Sequence, residues 1–466
     1  MGTTRNRTRI ALTAAGLSAA VALSGCAGVG GKGEEASGSG SSGGDGGNSF
    51  AGDPSGNLTI MGFGGEDEVA QARVDAFTKA HPSVKVSHPK GEFDAQQFLT
   101  ALAAGNPPDL VYVDRAIIGT YAAQGAVVPL TDCVKARKVD TSAYREAAIN
   151  SLTLDGKLYG IPEFYVVQVN LIDAKTLKSK GIDPSKIQTK DWPALKSTAT
   201  SLYESNGSKI KRVGFDPKLP DSFPLWALIN GAQIVKDGGA PNLNDPKAVE
   251  ALDYAITLVE AQGGWTSFKA FRDSFDIFGD KNPLTTGTIT AFPMENWYVN
   301  VLRDSIPAGL QLAAQPITDR QGNPVSTLGG SAWAIPKGAK NPTAACAWAA
   351  EMTATDTWMK AAEARIAKTK ADKSFFTGLF TANKVADEKI RETYKEPAPK
   401  PGFEQAIQAF YDTLDTAKAM PASAAGAQID AAWKAAVGRA LGGQSAQAAL
   451  DQAQKEAQAA FDKAKK

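Results

Sequence analysis

The chain has 466 residues, of which 43% are hydrophobic and 21% are charged, and its formal net charge at pH 7 is +1. This near-neutral charge does not favour a nucleic acid as a partner, because proteins that bind nucleic acids usually carry a strongly basic face. The sequence has two histidines and three cysteines, and it contains no H-E-x-x-H, C-x-x-C or G-x-S-x-G motif. It therefore argues against the common enzyme classes that these motifs mark, and we expect no metal and no cofactor.

Residues 1–25 have the pattern of a secretory signal peptide. Three arginines within the first nine residues precede an apolar run over 10–23 that is too short to span a bilayer comfortably. The next residues, Leu-Ser-Gly-Cys at 23–26, resemble the lipobox of bacterial lipoproteins, in which cleavage leaves the cysteine, here Cys26, as the first residue and bearing a diacylglyceryl group. Two acyl chains anchor a protein without a spanning helix. The alternative is an ordinary secretory signal with an incidental cysteine.

Residues 26–57 are predicted to contain the lipid-anchor site and a flexible linker. Between residues 27 and 57 there are twelve glycines and six serines, and Phe50 is the first large apolar residue after the signal. Such a segment behaves as a flexible coil with a reach of about 30 Å. Removal of residues 1–25 would leave 47 basic and 49 acidic residues, a net charge of about −2.

From Asn57 onwards the sequence predicts strands alternating with helices. The elements in chain order are a strand over 57–63, a helix carrying Ala70, Val74 and Phe77, a strand at Val84 and Val86, a helix carrying Phe98, Ala101 and Leu102, and a strand over 109–114. This order indicates βαβ units and a mostly parallel sheet. Later helices are expected after Asp245-Pro246, after Asn341-Pro342 and from about Gln428 to the C-terminus.

Residues 58–466 exceed what one hydrophobic core usually holds, so we expect two lobes. Two cysteines lie in this part, Cys133 and Cys346. Outside the cell they could form a disulfide, but the sequence does not show the pairing. We favour a buried free pair.

Six segments, in order, resemble the extracellular solute-binding proteins of bacterial ABC importers, in the group that captures sugars and oligosaccharides. They are NPPDLVYVDRAIIGTYAAQGAVVPL (106–130), DGKLYGIPEFYVVQVNLID (155–173), TKDWPALKSTATSL, TTGTITAFPMENWYVNVL, TLGGSAWAIPKGAKNPTAACAWAAEMT and GGQSAQAALDQAQKEAQAAF. The resemblance covers essentially everything from Leu58 to the C-terminus. It departs at Val169, where the family usually has an aromatic residue before Asn170, and over 363–374, which lacks an expected Gly/Pro-rich loop. Because this loop is missing, the resemblance gives only weak support for a ligand contact by Arg365.

The resemblance implies an α/β, type II periplasmic-binding-protein-like fold, with two α/β lobes, hinge crossings and a ligand cleft. The first lobe would comprise 58–165 with 324–385, and the second 166–323 with 386–466. The protein would be a monomer on the extracytoplasmic face of the cell membrane, held by its lipid anchor. It would bind a carbohydrate and deliver it to the permease subunits of an ABC transporter.

A sugar presents hydroxyl groups around a weakly apolar face, so its site needs aromatic rings and polar side chains in a cleft. Ligands of open α/β sheets bind beyond the carboxyl ends of strands. This rule and the resemblance select the aromatic candidates Trp297, Trp333, Trp226, Tyr165 and Phe63, together with Glu295, Asp114, Glu163, Glu66, Arg115 and Gly330. Two alternatives stay open: an exported carbohydrate-acting enzyme, which needs only two carboxylates, and a surface lipoprotein with a scaffolding role and no small ligand.

Overall fold

A computed structural model describes residues 50–279 and 281–466. The predicted signal peptide, Cys26 and the linker up to residue 49 lie outside the described residues. The strands are β1 Gly56–Met61, β2 Val84–Ser87, β3 Leu110–Asp114, β4 Thr153–Leu154, β5 Lys157–Leu158, β6 Ile161–Pro162, β7 Gln168–Asp173, β8 Glu204–Asn206, β9 Lys209–Arg212, β10 Ala291–Glu295, β11 Leu312–Gln315, β12 Ser326–Thr327, β13 Ser331–Ala334 and β14 Ala417–Lys418.

Helices account for most of the remaining regular structure. The α-helices are α1 Glu68–Ala80, α2 Ala95–Ala103, α3 Arg115–Ala123, α4 Thr131–Ala136, α5 Glu146–Asn150, α6 Ala174–Ser179, α7 Trp192–Leu202, α8 Phe223–Ile229, α9 Pro246–Glu260, α10 Gly264–Arg272, α11 Tyr298–Leu302, α12 Pro342–Met352, α13 Thr355–Ala371, α14 Lys384–Thr393, α15 Pro401–Leu414, α16 Gly426–Leu441 and α17 Ala446–Ala464. Short 3-10 helices cover Thr141–Ala143, Pro184–Lys186 and Arg303–Ala308. Over 50–279 and 281–466, no helix combines the length and the apolar character that crossing a membrane requires.

The predicted helices have the expected start signals. Asp67 accepts a hydrogen bond from the Ala70 N–H at 2.8 Å and so caps α1. Asp245 caps α9 and Asn341 caps α12, and a proline occupies the first turn of both helices. Each cap satisfies a backbone donor that the helix itself cannot pair. Local sequence therefore determines where these helices begin.

The first sheet has five strands in the order β2-β1-β3-β13-β6. The pairs β1–β2 and β1–β3 are parallel, as the alternation of strands and helices predicts. The prediction of a mostly parallel sheet is wrong beyond β3, because β13 pairs antiparallel with both β3 and β6. β13 lies more than 200 residues after β3 in the chain, so local spacing carries no information about its direction.

The second sheet has three antiparallel strands in the order β10-β7-β11. The chain passes from the first sheet to the second between β6 and β7, and it returns between β11 and β13. Each residue of β7 is buried, as expected for a central strand covered on both faces. Helices α8, α9, α16 and α17 pack into a core beside this sheet, and the predicted stripe Leu450, Ala453, Ala457 and Phe461 faces that core.

Phe50 belongs to the core beside the first sheet, where its side chain is 5% exposed. Ordered packing therefore starts before β1, within the segment 26–57 that the sequence predicts to be a linker. The remaining assignment of residues to two lobes stays a prediction from the resemblance.

Cys133 and Cys346 form a disulfide, which corrects the expectation of a buried free pair. Their Cα atoms are 5.7 Å apart although 213 residues separate them in the chain. Cys133 lies on α4 and Cys346 on α12, and both side chains are fully buried. The packing of these two helices brings the thiols together, which spacing along the sequence does not reveal.

We expect the double variant Cys133→Ala/Cys346→Ala to lose about 2–4 kcal/mol of unfolding free energy, because the crosslink restricts a long loop in the unfolded chain. Urea denaturation with and without reductant measures this loss. The unaltered protein should lose stability on reduction, whereas the double variant should not respond. Equal responses of both proteins to reductant would contradict a stabilising disulfide.

Candidate functional site

A cavity of about 290 Å³ lies between the first sheet and the end of β10. Aromatic, amide and hydroxyl side chains line most of it. The lining residues are Asp67, Val69, Tyr112, Phe164, Val166, Asn296, Trp297, Asn300, Gly330, Ser331, Arg365, Thr377, Gly378, Leu379 and Phe380. The wall combines residues of the first sheet with the residues that directly follow β10 of the second sheet, so a bound molecule would contact both groups.

Residues within strands and directly after them form the centre of the cavity. Tyr112 comes from β3 and Ser331 from the start of β13, which pairs with β3. On the opposite wall, β10 ends at Glu295, and Asn296 and Trp297 follow directly. Asn296 is fixed because its side chain donates to the Tyr165 carbonyl at 2.9 Å. Asn296 and Trp297 fit the rule that ligands of open α/β sheets bind beyond the carboxyl ends of strands, whereas Tyr112 lies within β3 and Ser331 begins β13.

The Tyr112 ring is supported from behind by buried aromatic rings. Its centroid lies 4.7 Å from Trp333 and 5.6 Å from Phe63. Phe164 is supported in the same way by Trp358, at 5.1 Å. Since the supporting rings are packed in the core, the cavity rings have little freedom to turn.

One buried ion pair lies directly behind the cavity wall. Arg73 Nη1 is 2.5 Å from Glu163 Oε1, and both side chains are almost completely buried. The Arg73 guanidinium also lies over the Trp358 ring, 4.2 Å from its centroid. Burial raises the pKa of the Glu163 carboxyl, while Arg73 and the Tyr112 hydroxyl oppose the increase. The pair therefore lies against a ring that lines the cavity, with the Arg73 guanidinium 5.5 Å from the centroid of Phe164.

Arg365 and Asp67 are the charged residues of the lining, and they pair with each other. Arg365 Nη2 donates to Asp67 Oδ2 at 2.9 Å, and Arg365 Nε contacts Glu68. Arg365 is 7% exposed, so its charge is held by these two carboxylates. Arg365 is thus already paired with two carboxylates, and the other polar groups of the lining are neutral.

Gly330 allows a close backbone approach at the edge of the cavity. Its φ is +122°, and a Cβ at this position would lie 2.4 Å from the Phe164 carbonyl oxygen and 2.6 Å from Arg115 Nη2. Arg115 donates to the carbonyl oxygens of Gly329 and Gly330. Burial lowers the Arg115 pKa to about 10. The buried guanidinium therefore holds the 329–330 turn and does not itself line the cavity.

Of the candidates selected from the sequence, Trp297 and Gly330 line the cavity. Glu163 lies behind its wall, and Glu295 lies next to it, paired with Lys218 at 3.1 Å. Asp114 and Glu66 are on the surface: Asp114 caps α3 and Glu66 pairs with Lys90. The others are buried outside the lining, namely Arg115, Tyr165, Trp226, Trp333 and Phe63. Trp226, for example, lies in the core beside the second sheet, where its indole N–H donates to the Pro217 carbonyl oxygen.

Several residues that line the cavity are not among the candidates selected from the sequence. Asn296 and Asn300 flank Trp297 closely in the chain, and attention to the residues after β10 would have found them. Thr377 and Arg365 do not follow a predicted strand, so their positions in the sequence did not mark them as lining residues. The departure from the family pattern over 363–374 argued against Arg365, whereas the structure places it in the lining.

A larger groove of about 970 Å³ runs along β1 and is lined by residues such as Asn57, Thr59 and Asn341. It has no aromatic lining residue and is built mainly from the exposed side of one strand and neighbouring loops. We therefore assign the site to the smaller cavity. Within 50–279 and 281–466, no cluster of three or more His, Cys, Asp or Glu side chains is arranged to hold a metal ion.

Comparison with characterised proteins supplies the family. Residues 72–393 match the model of the family described as bacterial extracellular solute-binding protein. The arabinooligosaccharide-binding protein of Bacillus subtilis strain 168 is 24% identical over 306 residues, which cover 61% of this chain and 66% of the relative. The lactose-binding protein of Rhizobium radiobacter is 22% identical over 296 residues, covering 61% and 64%. The alignments thus span less than two thirds of these curated relatives.

Solved structures of similar proteins show the fold. The structure of CpMnBP1 with mannotriose bound has a TM-score of 0.69 and 25% identity, covering 86% of this chain and 99% of that one. An ABC substrate-binding protein from Listeria monocytogenes in complex with cycloalternan has a TM-score of 0.71 and 18% identity, covering 87% and 99%. The prediction of a type II periplasmic-binding-protein-like fold is confirmed. The matched family model covers more than half of the sequence, and the chain belongs to the bacterial extracellular solute-binding proteins.

Proposed function

We propose that the protein is a receptor that binds a sugar or oligosaccharide in this cavity and delivers it to the permease of an ABC importer. One observation carries the proposal: four aromatic rings share the cavity with neutral amides and hydroxyls, namely Tyr112, Phe164, Trp297 and Phe380. Rings can stack on the apolar face of a pyranose or furanose, and amides and hydroxyls can pair with its hydroxyl groups. The names of the curated relatives and the sugars bound in similar structures agree with this chemistry.

The charge of the cavity favours an uncharged ligand. Arg365 is already paired with Asp67 at 2.9 Å and with Glu68, so the wall offers no unpaired cation to a phosphate or a carboxylate. A neutral carbohydrate meets this requirement.

Delivery requires a bound form that the permease can distinguish from the free form. A ligand that touches Tyr112 and Ser331 on one wall and Asn296 and Trp297 on the other would favour the arrangement in which both walls are close. It shifts the population by its difference in affinity for the closed and open forms. The permease would then recognise the closed receptor rather than the sugar.

We place the receptor on the extracytoplasmic face of the membrane, anchored through acylated Cys26 after removal of residues 1–25. The family is an extracellular one, which supports the location. The lipobox-like sequence supports the anchor. Incorporation of labelled palmitate by the unaltered chain, and its loss in Cys26→Ser, would test the anchor independently of ligand binding.

We propose binding without chemical conversion of the sugar. Glycoside hydrolysis uses a pair of carboxylates on either side of the scissile bond. Asp67 is the one carboxylate among the lining residues, and Arg365 holds it. Incubation of the protein with an oligosaccharide that it binds, followed by chromatography of the sugar, should recover the sugar unchanged.

A thermal-shift screen of the purified chain against mono-, di- and oligosaccharides tests the proposed function. A ligand present at about one hundred times its Kd stabilises the folded form by about 2.7 kcal/mol, which corresponds to a rise in Tm of roughly 2–5 °C. We expect such a shift with one sugar class and not with its neighbours. A flat response across the panel would overturn a sugar-binding function.

A further inference from the structure

Phe278 is the most exposed large hydrophobic side chain in the described part of the chain, with 69% of its surface accessible. It lies beside the cavity because its ring stacks on Trp297, with centroids 5.6 Å apart and an angle of 22° between the planes. Trp297 itself lines the cavity and is 39% exposed. The two rings form a continuous aromatic surface that starts inside the cavity and ends outside it.

The exposure of Phe278 follows from how its loop is held. Phe275 and Ile277 are partly buried and pack against the core, and Phe275 lies 4.7 Å from Phe271 of α10. Asp276 accepts hydrogen bonds from the N–H groups of Phe278 and Gly279, each at 3.1 Å. Since Phe275 and Ile277 occupy the inward positions of the loop, Phe278 is directed outwards although exposure of its apolar ring to water is unfavourable.

We propose that Phe278 forms a second binding position, outside the cavity, for the next unit of an oligosaccharide whose end occupies the cavity. The inference rests on the proposed function and names its ligand class: an oligosaccharide rather than a single sugar. The outer face of the Phe278 ring is free to stack on a sugar ring, and stacking is the contact that an exposed aromatic side chain offers to a carbohydrate.

The size of the cavity supports a ligand that extends beyond it. Its volume of about 290 Å³ is at the lower limit of small-molecule sites, which are roughly 300–1,000 Å³. An oligosaccharide therefore has part of its length outside the wall, and the Trp297–Phe278 surface leads away from the cavity on one side. A sugar unit placed there would cover apolar surface that is otherwise left in water.

Calorimetric titration of a length series tests the assignment, with arabinose and mannose and their di-, tri- and tetrasaccharides as probes. We expect Phe278→Ala to weaken binding of the longer members of the bound series roughly three- to tenfold, a range set by the worth of one aromatic stacking contact. The single sugar should bind Phe278→Ala as it binds the unaltered chain. Phe278→Trp keeps an aromatic ring and should therefore bind the longer oligosaccharides as tightly as the unaltered chain does.

Leu99→Ala serves as the surface control, because Leu99 is 41% exposed on α2 and does not line the cavity. It should bind every length normally. If sugars bind but Phe278→Ala affects all lengths equally or none, the second position is wrong while the receptor function stands. If no sugar of the thermal-shift panel and no member of either series binds the unaltered chain, the sugar-binding function fails, and the assignment of Phe278 fails with it.

Discussion

Glu163→Ala is expected to lower the free energy of unfolding by about 3–5 kcal/mol, because it leaves the Arg73 guanidinium buried without its partner. Both side chains are almost inaccessible to water, so solvent cannot replace the lost carboxylate. Urea denaturation followed by tryptophan fluorescence measures the change. The same variant should also weaken sugar binding, because Tyr112 and Phe164 lie against this pair.

Two further variants make the result interpretable. Glu66→Ala removes a carboxylate from an exposed pair with Lys90, at 2.7 Å, and should cause no measurable loss of stability. Arg73→Met/Glu163→Leu removes both buried charges and should recover most of the stability that Glu163→Ala loses. Equal stability of Glu163→Ala and Glu66→Ala would show that burial of the Arg73–Glu163 pair has no energetic consequence.

Trp297→Ala is expected to weaken sugar binding about 10- to 100-fold, since it removes the exposed ring of the cavity wall. Trp297 occupies the turn between β10 and α11, and its neighbours are held by backbone contacts, so loss of the ring should leave the fold intact. Calorimetry with the sugar found in the thermal-shift screen measures the affinity. An unchanged Tm of the free protein would show that the loss concerns binding.

Trp297→Phe should lose less affinity, because a smaller ring remains. Glu295→Ala should also lose less, since Glu295 does not line the cavity and pairs instead with Lys218 and Gln168. If Trp297→Ala and Glu295→Ala both bind the sugar as tightly as the unaltered chain, the ligand site lies elsewhere in the molecule.

Local sequence was sufficient to predict the order of most early strands and helices and where they begin and end. The strands β1 to β3 and the helices α1, α9 and α12 have buried faces and caps that are encoded within a few residues of one another. The position of β13 was not predictable in this way. Its antiparallel pairing with β3 depends on contacts between segments more than 200 residues apart.

The aromatic candidates show the same division between local and distant information. Trp297 and Trp333 both belong to segments near strand ends, yet Trp297 is 39% exposed and Trp333 is completely buried. Trp333 is covered by Phe63, which follows β1, and by Trp348 of α12. Sequence position identified strand ends, but which ring faces the cavity depends on what packs over it.

The disulfide between Cys133 and Cys346 encloses all three strands of the second sheet within one covalent ring. A protease outside the cell that cut the chain once between these cysteines would not separate the pieces, because the crosslink would still join them. The two fragments would separate on a denaturing gel only after reduction of the disulfide. A single cleavage in the loop after β10, which carries Asn296 and Trp297, would therefore leave the two fragments covalently joined.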